Sequence, residues 1–430
     1  MEIFAIILFV LILVFLLLGY PVAITLGGMS IIFGLIFVPD FLDLLPLRIM
    51  GIMENSVLMA VPLFIFMGLM LEKSGLAERL LEAMAMLFGK INGGLAISVV
   101  VVGALLAAST GIVGATVVTM GLISLPVMLK RNYSPELATG VIASSGTLGQ
   151  IIPPSIVLVL LGSVMNVSVG GLFKAAFIPG FIIVLVYIIY ILVVSQVKPG
   201  FAPAIPEEEV AAFRQDNYIS KLIKAFVLPL TLIVIVLGSI FLGVASPTEA
   251  AAVGALGSIM LTWAQGQYSW EIMKKVSEKT SHLTSMVFLI LLGATTFSLV
   301  FRGLGGDKFL VEVIEQSNLG KYTFLFLVML VIFIAGFFID FIEIVFIIIP
   351  VVTPLFAAYD FDLIWVGILI ALNLQTSFLS PPFGFALFYL KGVAPPQITT
   401  GILYRGVIPF LVLQLLVVLL VFFFPNILLK

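Results

Sequence analysis

The 430-residue chain contains no cysteine and a single histidine, and only 10% of its residues are charged. Without cysteine there is no disulfide, no thiol nucleophile and no cysteine metal site. The one imidazole, His282, stands beside a polar stretch and reads as a residue at headgroup level rather than a catalytic one. A soluble domain carries roughly 25% charged residues, so an ordinary globular protein is excluded. The net charge is −2 and no basic patch stands out, so nothing points to nucleic acid.

Hydrophobic residues make up 62% of the chain, and its mean hydropathy is +1.32. Runs such as Ile3 to Leu18 and Val407 to Phe424 approach the roughly 20 residues that a helix needs to cross a bilayer. In lipid the choice lies between helices and a closed barrel. Continuous rather than alternating apolar runs exclude the barrel, which leaves an all-α, polytopic membrane protein. The first run is expected to stay uncleaved. Glu2 rather than a basic residue follows Met1, no small-residue cleavage site is present, and "GYPV" leads into a second run.

The prolines carry a repeat. Pro153 and Pro154 have counterparts in Pro381 and Pro382, at an offset of 228 residues. The same offset takes Pro126 to Pro354, and Gly75–Leu76 to Gly303–Leu304. Each repeat reads as a span (56–70; 284–300) followed by a charged amphipathic stretch too polar to cross (76–90; 307–320). Two short apolar arms and an interrupted span with its Pro-Pro pair complete it. The arms of the first repeat are 94–108 and 113–129, with a tip at Ser109–Gly111; the second tip lies within Gly336–Glu343. Arms this short suit re-entrant hairpins, with two ordinary spans and a tight loop as the other reading.

The chain accordingly divides into N-terminal scaffold helices (1–50), a first repeat (51–163), linking scaffold helices with a cytoplasmic linker (164–278), a second repeat (279–391) and a C-terminal helix (392–430). Three spans are expected in the linking segment, at 172–194, 222–242 and 250–264. Ser246, Pro247 and Glu249 spell a helix start with a capping box. The run Glu207–Glu209 reads as the solvated face of a short interfacial helix.

Charge sets the expected orientation. Lys90, Lys130 and Arg131 at the first hairpin's mouth place it in the cytoplasm, while Asp360 and Asp362 leave the second mouth outside. Threading the remaining spans puts Lys198, Lys274, Lys275, Lys391 and Arg405 inside and both termini outside, so the repeats are inverted.

A helix break at membrane depth is tolerated only where protein or a water-filled cavity surrounds the freed backbone. Paired breaks in inverted repeats point to a transporter's midplane site. "SSGTLGQIIPPS" supplies Ser144, Ser145 and Thr147 at the first break; the second offers Asn373, Gln375, Thr376, Ser377 and Ser380. Oxygen donors without imidazole or thiolate suit an alkali cation such as Na⁺, and half-helix N-termini suit an anionic solute. Small hydroxyl residues also let membrane helices approach closely, which is the competing explanation. Asp340 and Glu343 are carboxylates inside an apolar run. They read either as ion-binding groups or as an acid capping the second hairpin arm.

The motifs "GYPVAITLGG", "VPLFIFMGLMLEKSGLAERL", "GTLGQIIPPSI", "SPTEAAAVGA" and "SPPFGFALFYLKG" occur in an order that resembles the large membrane subunit of tripartite ATP-independent periplasmic (TRAP) transporters, over essentially the whole length. The resemblance implies an elevator-type fold of the ion-transporter superfamily and Na⁺-driven import of a carboxylate. It also implies a periplasmic solute-binding protein and a small four-helix membrane subunit, expected as a separate chain because no extra helices precede Glu2. The location would be a bacterial or archaeal cytoplasmic (inner) membrane. Carried onto this sequence, one cation site falls at Ser109, Thr110 and Gly111 with Ser145, Gly146 and Thr147. A second falls at Gly336, Asp340, Thr376 and Ser377. Solute would lie between Gly149, Gln150 and Pro153 on one side and Ser380 and Pro381 on the other.

Other readings stay open at this point. A stand-alone Na⁺/dicarboxylate symporter or anion transporter of the same architecture would need no binding protein. An intramembrane enzyme built on Asp340 and Glu343 lacks a second catalytic motif and leaves the repeat unexplained. A channel suits paired hairpins less well than alternating access does.

Overall fold

The computed structural model describes residues 2–110, 113–215, 223–317 and 319–428, and among these no residue is in a β-strand. Large apolar side chains point outward as well as inward; Ile24, Met260 and Phe388 are each about two-thirds exposed or more. A surface of that kind is stable only against lipid. Among the described residues, five helices are long and apolar enough to cross a bilayer unaided. One of the five is Val113–Lys130, the second arm of the first hairpin, so that arm reaches spanning length although the sequence reading took the arms as short; further apolar helices of 10–17 residues are other arms, half-helices and scaffold helices.

The helices form two packed groups. In the scaffold, Val22–Phe37 lies along Trp270–Gly303, and Ala60–Lys73 lies against both Pro247–Ala264 and Trp270–Gly303. Leu228–Phe241 and Glu2–Leu17 complete this group. One crossing is glycine-made: a Cβ on Gly293 would sit 2.7 Å from the Ala23 carbonyl oxygen. Small residues of this kind permit tight approach where no hydrophobic force draws helices together.

The second group holds the first hairpin (Gly94–Thr110 and Val113–Lys130), the first broken helix (Pro135–Gly146 and Ile156–Met165) and the long helix Val169–Val197. The second hairpin, the second broken helix (Leu363–Leu379 and Phe385–Val393) and Thr400–Phe423 join it. Helix starts recur at the 228-residue offset: second arms at Val113 and Phe341, broken helices at Pro135 and Leu363. Packing is reciprocal. Each hairpin lies against the first half of its own broken helix and against the second half of the other repeat's.

Three features differ from the sequence reading. The second hairpin's first arm is Lys321–Ala335, but its second arm is two helices, Phe341–Ile347 and Ile349–Ala358, bent by 53°. Pro350 lies just past the bend, where it lacks an N–H and crowds the preceding turn. The span expected at 284–300 is a 34-residue helix, Trp270–Gly303. The glycine that turns the chain into the amphipathic helix of the second repeat, with φ +84°, is Gly305; Gly303 is helical and abuts the Phe41 ring. Gly75, with φ +70°, does this job in the first repeat, so the equivalence slips by two residues here.

The acidic run of the linker is not merely solvated. Lys90 Nζ lies 2.9 Å from Glu207 Oε1, and Arg131 pairs with Glu209. These hydrogen bonds hold both carboxyls below their ordinary range. Backbone bonds from Gly93 N to Ala202 O and from Ile205 N to Gly89 O, both 2.8 Å, fasten the same segment to the first hairpin's mouth. The predicted helix start at Ser246 is present with both capping-box bonds and Pro247 in the first turn.

Candidate functional site

The first break is built by a helix that stops early. Ser134 caps its start and Pro135 opens the first turn. After Gly146 the chain tightens into a 3₁₀ turn, Leu148–Gln150, and runs non-helically through Pro153 and Pro154 until Ser155 caps Ile156–Met165. Ser145, Thr147 and Ser155 are fully buried. Their hydroxyls donate to the carbonyls of Ile142 (3.1 Å), Ser144 (2.9 Å) and Gln150 (2.8 Å). Each hydrogen is thus committed, and what these oxygens can offer anything else is a lone pair.

Two glycines wedge this break against its hairpin. A Cβ on Gly103 would lie 2.6 Å from Ser145 Cβ, and one on Gly146 would lie 2.3 Å from Val117 Cγ2. Gly103 and Val117 belong to the two arms, so Ser145 and Gly146 sit between them. Of the expected tip residues, Ser109 and Thr110 end the first arm, though their side chains lie outside the described residues, as does Gly111 entirely.

The second break has the same arrangement with different atoms. A Cβ on Gly336 would meet Ser377 Oγ at 2.3 Å. Ser377 Oγ donates to Phe333 O, and Asn373 Nδ2 to Met329 O, both at 2.7 Å, which ties the broken helix to the first arm of its hairpin. Thr376 and Ser380 donate to carbonyls one turn back, at 2.8 and 2.9 Å. Asp340 follows the Gly336–Ile339 turn and caps Phe341–Ile347, its Oδ1 accepting from Phe341 N at 2.7 Å. Among the described residues no three His, Cys, Asp or Glu side chains group together, so any cation here would meet hydroxyl and carbonyl oxygens with at most two carboxylates.

Gly149 and Gln150 lie on the 3₁₀ turn, which packs against Leu363–Leu379 and brings the two breaks side by side. Pro153 and Ser380 are buried, whereas Pro381 is half-buried. Both amide atoms of Gln150 and of Gln375 are buried without a hydrogen-bond partner. Leaving such a group unpaired costs about 1–3 kcal/mol; the amide of Gln414 is buried in the same way. Sequence reasoning named Ser144 but missed what it faces, the buried Tyr187 hydroxyl with Gln414 beside it. A lone glutamine in the apolar run Thr400–Phe423 was the available signal.

A family profile described as "Tripartite ATP-independent periplasmic transporter, DctM component" matches residues 9–427. The C4-dicarboxylate TRAP transporter large permease protein DctM of Pseudomonas aeruginosa is 32% identical over 398 residues, covering 91% of this chain and 90% of that one. The ectoine TRAP transporter large permease protein TeaC of Halomonas elongata is 30% identical, covering 96% and 95%. The crystal structure of the Alcanivorax borkumensis YdaH transporter superposes with a TM-score of 0.66 at 12% identity, covering 96% of this chain and 98% of that one, which shows a shared fold. With a profile spanning nearly its whole length and relatives of matching size, this multi-pass chain belongs to the large-permease (DctM) family of TRAP transporters, and its role is transport rather than catalysis.

Proposed function

We propose that this chain is the Na⁺-coupled importing subunit for a small carboxylate solute. The observation that carries this reading is the pair of side-by-side breaks. Each is wedged by a glycine contact against its own hairpin and lined with buried hydroxyl oxygens, and each lies next to an unpartnered buried amide. Oxygen-only donors favour a hard cation over a transition metal. The residues that would hold Na⁺ are Ser145 and Thr147 with carbonyls near Gly146, and Thr376 and Ser377 with carbonyls near Gly336 and the carboxylate of Asp340. Bound there, Na⁺ would supply the positive charge that offsets a carboxylate in a low-dielectric centre. Gly149, Gln150, Pro153, Ser380 and Pro381 would then orient the solute between the breaks.

The hairpin-bearing group is the moving body, and the helices around Trp270–Gly303 are the fixed one. Repeats 51–163 and 279–391 are inverted, with the first hairpin's mouth in the cytoplasm and both termini outside a bacterial inner membrane. The family description is tripartite, and the relatives named above carry C4-dicarboxylates or ectoine. A separate small membrane subunit and a periplasmic solute-binding protein therefore complete the system. The test is reconstitution with both partners. Uptake should require an inward Na⁺ gradient and the binding protein on the outer side. Full-rate uptake without the binding protein would replace this reading with a stand-alone symporter, and uptake driven by protons alone would remove Na⁺ from it.

A further inference from the structure

A cavity of about 800 Å³ lies away from the two breaks, between the scaffold and the hairpin-bearing group. Its scaffold wall comes from the short helix Leu45–Met53 and from the Thr295–Arg302 stretch of Trp270–Gly303. The opposite wall comes from the bent second arm of the second hairpin, around Phe346 and Thr353, and from the end of the first broken helix at Ser163. None of the residues expected to hold cation or solute lines it.

The chain carries 22 acidic and 20 basic residues, yet this cavity is lined by Arg48 and Arg302 and by no Asp or Glu. Arg302 Nε is held by Asp307 Oδ2 at 3.1 Å. That contact engages one of the five guanidinium N–H donors and steadies the plane of the rest. Arg48 makes no ion pair among the described residues. Thr295, Ser298 and Arg302 share one helix face by their spacing. Asn55 donates to Ser163 Oγ at 3.2 Å across the two bodies. A second cavity of about 460 Å³ shares Asn55, Ser163 and Asn166 and reaches the N-terminus of the 29-residue helix Val169–Val197, where the helix dipole is positive. Each of the two cavities alone falls in the range that takes small organic ligands.

We infer that the cavity lined by Arg48 and Arg302 is a second, weaker carboxylate site, where solute is held by charge before it reaches the breaks. Its transport role rests on the import reading above, but its occupancy does not. Recognition is by the carboxylate, since the two arginines are the charged groups of the wall and the rest is apolar or neutral polar. The walls belong to two bodies, so sliding one past the other would change the shape of the cavity.

The cysteine-free sequence allows a direct test. Ser298→Cys places a thiol in the cavity, and its modification by anionic and cationic methanethiosulfonates of similar size reads the local potential. The anionic reagent should react about tenfold faster, the lower range of electrostatic focusing in a lined cleft. Arg48→Gln should bring the ratio towards one, and Arg48→Lys should restore it. Succinate should slow the anionic reagent, with half-protection shifted about tenfold upward by Arg48→Gln. Thermal unfolding of each variant checks that the fold is retained. Equal reactivity of the two reagents, or succinate protection indifferent to Arg48, would overturn the site. So would shielding by phosphatidylglycerol in nanodiscs with no further effect of succinate, since the arginines would then hold a lipid headgroup. If these results hold while reconstituted uptake fails, the site stands and the import reading falls.

Discussion

Gly336 stands so close to Ser377 that a Cβ on the glycine would lie 2.3 Å from the serine oxygen and 2.9 Å from its Cβ. The turn of the second hairpin and the second broken helix are therefore in direct contact at the place where the oxygen donors gather.

Gly336→Ala should accordingly destabilise the protein by about 1–3 kcal/mol, the usual range for overpacking, and raise the Na⁺ concentration needed for half-maximal uptake. In a Ser377→Gly background the added methyl has room, so the same substitution should do much less. Thermal unfolding of the four variants measures the coupling. Additive effects would mean that this contact is not what the glycine protects.

Much of this was legible in the sequence because proline and glycine punctuation survives where side-chain identity does not. The offset joining Pro153 to Pro381 located both breaks, and the Ser246–Glu249 box located a helix start to the residue. The bend at Ile348 went unread: Pro350 was visible, but a proline in an apolar run does not say whether it ends, bends or merely begins a helix. The glycine contacts of Gly103, Gly146 and Gly336 were also hidden, because close approach is a property of two segments far apart in the chain. The pairing of Glu207 and Glu209 with Lys90 and Arg131 was missed for the same reason.

Those ion pairs carry a pH expectation. Both glutamates are held below the ordinary value of 4.5 by their basic partners. A depressed folded-state value means that the contribution is fully present above the ordinary value and is lost as pH falls through the folded one. The linker should therefore stay fastened at neutral pH and loosen only in acid below about 4.5. Arg131→Glu should loosen it at neutral pH, and the added change Glu209→Arg should restore it. Hydrogen exchange at the amides of Gly93, Ile205 and Ser134, the last bonded to Phe201 O at 2.8 Å, corrected for intrinsic rates, reads the fastening directly. The pairs are exposed, so salt should weaken them. Exchange unchanged by either charge reversal would show that the backbone bonds alone hold the linker.

Orientation can be tested with two single cysteines. One at Lys130 should label only from the cytoplasmic side, because it belongs to the basic mouth of the first hairpin. One at Asp360, at the second mouth, should label only from outside. Labelling of both from one side would end the inverted arrangement of 51–163 and 279–391.

Gln150 and Gln375 give the sharpest distinction between a packing role and a binding role for the centre. A buried amide that only packs is poorly suited to its place, since both its atoms lack partners and an apolar residue of similar size would avoid that penalty. Gln375→Leu should therefore leave the ion-free protein as stable as before, or more stable by up to about 1–3 kcal/mol. A ligand that binds only the folded state adds stability that grows with its concentration, so Na⁺ should raise the melting temperature of the unsubstituted protein, with K⁺ as the control. In Gln375→Leu that rise should shrink, the first cation site being left intact, and in Gln150→Leu the loss should appear in solute-dependent stabilisation instead. A Gln375→Leu protein that is less stable without ions yet keeps its full response to Na⁺ would make this amide structural.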